Sequence, residues 1–269
     1  MPVSPGVSLS DRPAILTAMS LGTAPVPPGT PVDLRHSGEA HLVIVHPPFA
    51  APLRPGERPA VTAHDPDAAR AAVLSLSMVA AVRREKAPAR LALPGSPSVR
   101  EDLDEVSAAV WGSTVKITDP ALMEEGLGFG ALEDEFEAQR MRFPDARIVA
   151  VCERDFGASY SKVLVAVPGV PELLIEEIDG LRITGDPRAT LAAIGVALDE
   201  DGSAYLEEDS SEDDEEGPGG VGIADYHELL HVVSDGALSV YADEQRHQST
   251  FLVERTERGE SEIGAVWFP

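Results

Sequence analysis

A single cysteine, Cys152, is all the thiol chemistry the chain has, so an intramolecular disulfide and a thiolate metal cage within one chain are both excluded. That usage fits a reducing compartment, and the expected location is the cytoplasm. Lysine is nearly as scarce, with three against eighteen arginines, and this bias matches high-GC bacterial coding. Aromatic residues make up only 5%, so the core must be filled mainly by Ala, Val, Leu and Ile. Long apolar runs are also missing. Ala71–Val82 is about half a membrane span and contains Ser75 and Ser77, and the N-terminus has neither a basic stretch nor an apolar one of the kind a signal peptide needs. A soluble protein without membrane partners is the expectation.

Positive charge is short overall, and the chain carries a net −25. The distribution matters more than the total. Asp199 to Glu216 holds eleven acids and no base, so the other 251 residues carry −14. That describes an acidic protein with one very acidic loop. Such charge repels phosphate backbones and argues against nucleic acid, while the acidic run itself suits a basic protein partner.

At 269 residues the chain is long enough to bury a substantial core. The densest structure-forming stretch runs from Arg147 to Ala197. Arg147–Cys152 and Lys162–Val167 read as two strands across a Ser/Gly-rich turn. Leu173–Ile178 and Leu181–Thr184 read as a hairpin across Asp179-Gly180, and a helix opens at Asp186-Pro187. Upstream, His41–His46 is a strand, stopped by Pro47-Pro48. Asp65-Pro66 opens a helix expected to reach about Arg84, since the run is apolar almost all round. The following segment suggests a short strand at Arg90–Leu93 and a helix over Val99–Val110. Ser113–Thr118 is a strand, Asp119-Pro120 begins a short helix through Glu125, and Ala131–Arg142 is a better one. The last of these lines Leu132, Phe136, Gln139 and Phe143 on one stripe, with acids in its first turn and Arg140 and Arg142 in its last.

The predicted fold is α+β, with a central, mainly antiparallel sheet and helices packed on it. Residues 1–38, with seven prolines, form an N-terminal arm, and 39–198 form the main domain. An acidic loop spans 199–221. Residues 222–269, read as a helix at Ile223–Ser234 and strands at Ala237–Tyr241, Thr250–Glu254 and Gly264–Phe268, complete the main domain.

One motif carries sharp chemistry. His227-Glu228-Leu229-Leu230-His231 is similar to the zincin metalloprotease signature. Histidines at i and i+4 on a helix stack on one side, so both imidazoles reach one Zn²⁺ and the intervening glutamate polarises its water. The third ligand would be Glu254 or Glu257, with Asp235, Glu244 and His247 as looser options. The flanks depart from the family pattern at Asp225, Ser234 and Ala237. The competing reading makes Tyr226, Leu229, Leu230 and Val233 a core-facing stripe and leaves His227, Glu228 and His231 in water.

Other matches are weaker. Gly126-Leu-Gly-Phe-Gly130 lacks the spacing and preceding strand of a dinucleotide loop, so it reads as a helix–helix connection. Asp155-Phe-Gly157 matches a kinase tripeptide by letters only. Cys152 ends a strand with no local imidazole, Ser159 and Ser161 are turn residues, and His41 and His46 point to opposite faces. The function expected from these residues is non-catalytic binding of another macromolecule, as an inhibitor, immunity-type or accessory protein. The alternative is a zinc-dependent hydrolase with His227 and His231 as ligands and Glu228 as general base.

Overall fold

The computed structural model describes residues 25–33, 37–49, 62–90, 97–124, 130–155, 159–177, 180–194, 203–204, 221–222 and 246–268. In chain order, β1 is Ser37–Val45, α1 Pro66–Val73, β2 Val79–Arg90, β3 Glu105–Trp111 and β4 Thr114–Thr118. Then follow α2 at Ala131–Arg142, β5 at Arg147–Asp155, β6 at Ser159–Ala166, β7 at Leu173–Glu177, β8 at Leu181–Thr184 and α3 at Pro187–Ile194. A two-residue pair, β9 at Ser203–Ala204 and β10 at Val221–Gly222, precedes β11 at His247–Arg255 and α4 at Glu257–Trp267.

Nine strands form one sheet in the order β2-β11-β3-β4-β1-β5-β6-β7-β8, and every pairing in it is antiparallel. The fold is α+β. Hairpins build half of its pairings, β3–β4, β5–β6, β6–β7 and β7–β8, because short turns are all that antiparallel neighbours need. Gly112-Ser113 joins β3 to β4, and Gly112 sits at φ +61°, a value that suits glycine. Gly38 is required for a second reason. At φ +149°, a Cβ there would lie 2.2 Å from the Glu153 carbonyl oxygen of the neighbouring strand.

Strand alternation sorts the apolar residues by face. Leu42, Ile44, Ile148, Ala150, Cys152 and Leu164 meet Leu132 and Phe136 of α2 and Ile263, Val266 and Trp267 of α4 in one buried cluster. A second cluster joins Ala69 and Val73 of α1 to Val106, Val110, Phe251 and Val253. Each fully buried aliphatic or aromatic side chain contributes about 1.5–3 kcal/mol, so these layers hold the sheet together.

Three Asp-Pro helix starts share one local design. The Asp65, Asp119 and Asp186 carboxylates accept from backbone N–H groups of Ala68, Ala121 and Arg188, at 3.0, 2.9 and 3.0 Å. Each proline fills a helix position whose own N–H would go unpaired.

Four expectations change. The helix from Pro66 ends at Val73 instead of near Arg84, and Val79–Arg90 pairs with β11 as a strand. The helix expected at Val99–Val110 is a 3₁₀ turn at Arg100–Asp104 followed by β3. Asp119-Pro120 starts only a 3₁₀ turn at Pro120–Leu122. The strand expected at Gly264–Phe268 lies within α4, which Thr256 caps by accepting from the Gly259 N–H at 3.2 Å. Thr250–Glu254 is a strand as expected, placed between β2 and β3. The arm over 1–24, the body of the acidic loop, and the helix and strand at Ile223–Ser234 and Ala237–Tyr241 lie outside the described residues. Among the described residues, no helix is long and apolar enough to cross a membrane.

Candidate functional site

His227, Glu228 and His231 lie outside the described residues, as do Asp235 and Glu244. The two candidate third ligands are within them. Glu254 is a half-exposed residue of β11, paired with Arg83 Nε at 3.4 Å, and Glu257 stands in the first turn of α4. His247 opens β11 at the surface, and its carbonyl accepts from Trp111 Nε1 at 2.9 Å. Among the described residues, no group of three or more His, Cys, Asp or Glu is gathered as a metal ion needs.

An ionic cluster that sequence reasoning missed occupies the buried side of β6. Lys162, with its side chain 1% exposed, reaches Glu124 Oε2 at 2.7 Å, Glu133 Oε1 at 2.5 Å and Glu176 Oε1 at 3.8 Å. The Tyr160 hydroxyl donates to Glu124 Oε2 at 3.1 Å and stands 3.3 Å from Glu176 Oε1. A visible signal existed. Tyr160, Lys162, Leu164 and Ala166 share one strand parity, and that parity faces the helices.

Glu124 also serves α2. The helix begins at Gly130, which has no side chain to cap it, and the Glu124 carboxylate takes that place by accepting from the Glu133 N–H at 3.3 Å. A Cβ on Gly130 would stand 2.3 Å from Glu124 Oε1, so glycine is what lets the carboxylate in. Burial pushes the Glu124 carboxyl up, against the pull of Lys162. For Lys162, burial works to lower the ammonium, and Glu124 with Glu133 outweighs it, so the net shift is upward. Burial likewise raises the Tyr160 hydroxyl and pushes the Cys152 thiol to about 12. The lysine is held as a cation, the phenol and thiol stay neutral, and none of them reaches solvent. This arrangement fixes the α2 start onto the sheet, and it has no nucleophile.

A second buried network ties β11 to the loops beneath it. Arg255 donates through Nη1 to Asp119 Oδ2 at 2.8 Å and through Nη2 to the Leu103 carbonyl. Arg100 donates to Asp104 Oδ1 at 2.8 Å and to Glu260 Oε2 at 2.6 Å. A concavity of about 330 Å³ opens beside them, walled by Arg83, Arg100, Arg255 and the acids that pair with them. Every cation in that wall is already answered by a carboxylate, and with Glu101 the acids outnumber the arginines, which leaves no net attraction for an anionic ligand.

His64, Ser249 and Glu85 resemble a nucleophile relay in composition alone. The Val110 N–H donates to His64 Nδ1 at 3.2 Å, which places the ring proton on Nε2. Nε2 therefore donates to Ser249 Oγ, 3.1 Å away, and the serine donates to Glu85 Oε1 at 3.3 Å. The proton order is the reverse of what activates a serine, and Ser249 is fully buried. Burial also lowers the His64 imidazole, which keeps it neutral.

Among the described residues, the strand most open to the outside is β2. It is an edge strand of twelve residues, hydrogen-bonded on one side to β11, and every residue from Arg83 to Arg90 is exposed. Arg83, Arg84, Lys86 and Arg90 stand against one acid, Glu85, which gives this strand +3 in a chain of −25. Arg83 pairs with Glu254 and Lys86 with Glu105, whereas Arg84 and Arg90 have no ionic partner among the described residues. The opposite edge, β8, is four residues long and exposes Leu181 and Ile183.

No curated protein and no solved structure matches the chain. One family model does, over residues 23–269, and by that match the chain belongs to a family of unknown function, DUF6333.

Proposed function

We propose that this chain works by binding another protein along the β2 edge of its sheet, without catalysing a reaction itself. The observation that carries the reading is the open, basic, fully exposed half of β2. An edge strand presents unpaired backbone donors and acceptors, and proteins normally shorten or cover such edges. Here the edge is long, and it bears charge opposite to that of the chain as a whole. The buried polar groups support the same view. Among the described residues, Lys162, Tyr160, Cys152 and Ser249 are the reactive residue types nearest to acid–base partners, and each is buried. By composition, Asp199–Glu216 offers a basic region of the same partner a second place to attach.

The test is site-directed photo-crosslinking in the native host. A photo-reactive amino acid placed at position 84 or 90 is expected to give a discrete higher-mass adduct, and one at position 182 on the opposite edge is not. Equal labelling from all three sites, or none from 84 and 90, would remove the reading.

A further inference from the structure

We infer that the occupant of the β2 edge is an extended segment of a partner protein with Asp or Glu at alternate positions, added to the sheet as a tenth strand. The inference rests on the proposed binding role and names the chemistry of the partner. Arg84 and Lys86, across from Leu252 and Thr250, project on one face of β2, and Glu85, across from Phe251, on the other; Arg83 falls at a register shift and reaches Glu254. In an added strand, directly opposed residues come within about 5 Å, so acids spaced two apart meet the face of Arg84 and Lys86. Of these two cations, Lys86 is shared with Glu105, while Arg84 has no ionic partner among the described residues; Arg90, beyond a register shift and on the other face across from His247, has none among them either. Opposite charges across a strand pair are favourable, and like charges are costly.

The same rule decides against the obvious rival, a second copy of this chain. Pairing β2 with β2 would bring two sets of Arg83, Arg84, Lys86 and Arg90 together with only Glu85 on each side to offset them. Pro88, which lacks an N–H, and the register shifts between β11 and β2 at Gln248/Thr250 and Leu252/Val253 interrupt the edge for any added strand, so charge is what decides between the two occupants. Between the shifts, Arg84, Glu85 and Lys86 pair in regular register with Leu252, Phe251 and Thr250, and this is the run the added strand extends.

The probe is a synthetic decapeptide alternating Glu with Val, and the control alternates Lys with Val. Both are titrated into the full-length ¹⁵N-labelled chain at low salt. The acidic peptide is expected to bind saturably, to move the amide resonances of β2 and of β11 across from it, and to weaken as salt rises. The double substitution Arg84→Glu with Arg90→Glu changes two exposed side chains that have no ionic partner among the described residues, and it is expected to weaken binding about tenfold. Arg182→Glu on β8 should leave binding unchanged. Three results would overturn the inference: no binding of the acidic peptide, equal binding of the basic one, or a dimer of the free chain that the double substitution abolishes. If the adducts at positions 84 and 90 form while the acidic peptide fails, the surface stands and only the partner chemistry is wrong.

Discussion

Replacing Lys162 by methionine removes the one buried cation among three carboxylates, leaving only the exposed Arg182 on Glu176 at 3.5 Å, while keeping most of the side-chain volume. Glu124, Glu133 and Glu176 then face each other with Tyr160 as their neutral neighbour, and Glu124 is itself 2% exposed. Breaking a buried pair on one side costs about 3–5 kcal/mol, because the remaining charge is left without compensation. The cost must also depend on pH in a definite direction. Burial already raises Glu124 in the intact protein, so the folded state holds that proton to higher pH than the unfolded chain does. A raised carboxyl favours folding at acid pH and loses that benefit as pH climbs through its folded pKa. Without Lys162 to pull it down, Glu124 rises further. Urea unfolding followed by circular dichroism should therefore show Lys162→Met destabilised by about 3–5 kcal/mol at pH 7. The deficit should be clearly smaller near pH 4.5, where the carboxyl is protonated. Adding Glu124→Gln should restore part of the loss at pH 7. A deficit below about 1 kcal/mol, or one that does not change with pH, would show that the cluster is solvated and that the burial reasoning fails.

Three further outcomes are expected. Gly130→Ala places a methyl group 2.3 Å from the Glu124 carboxylate and should cost about 1–3 kcal/mol in the same unfolding assay, although alanine is the better helix former. With its thiol at about 12, Cys152 should be roughly one part in ten thousand thiolate at pH 8, so iodoacetamide should label it only after unfolding. On the binding reading, metal analysis of the purified chain should find zinc far below one per chain, and chelator should leave the melting temperature unchanged. Stoichiometric zinc lost in His231→Ala would return the hydrolase alternative to first place.

Much of the fold was legible where two independent signals agreed. Ala131–Arg142 had an apolar stripe, charges matched to the helix dipole and a terminating proline region, and its bounds are those of the structure. The hairpin strands of β5 to β8 combined β-branched alternation with glycine or serine turns. The errors fall where alanine and valine alternate in short runs, since such runs satisfy helix and strand periods equally well. Val79–Val82 reads as a continuation of α1 until β11 supplies its hydrogen bonds, and no local residue announces that distant partner. Glu105–Trp111 was recoverable, because Val106, Ala108 and Val110 share a parity. So was α4, whose Thr256 is an ordinary helix cap. The buried Lys162 cluster was legible only in part. Parity places the lysine inward, but its carboxylates come from Glu124, Glu133 and Glu176, brought together by α2 and β7 packing. The zincin-like residues His227, Glu228 and His231 lie outside the described residues, so that motif rests on spacing alone.

The account depends most on β2 being a strand with one side paired and the other open. Amide hydrogen exchange of the free chain, read residue by residue across Val79–Arg90, reports this directly. Alternating slow and fast amides are expected, the slow ones bonded to β11 and the fast ones facing water. Uniform protection along the segment would mean that the edge is already covered or helical, and uniform fast exchange that no strand forms there; either pattern would contradict the account.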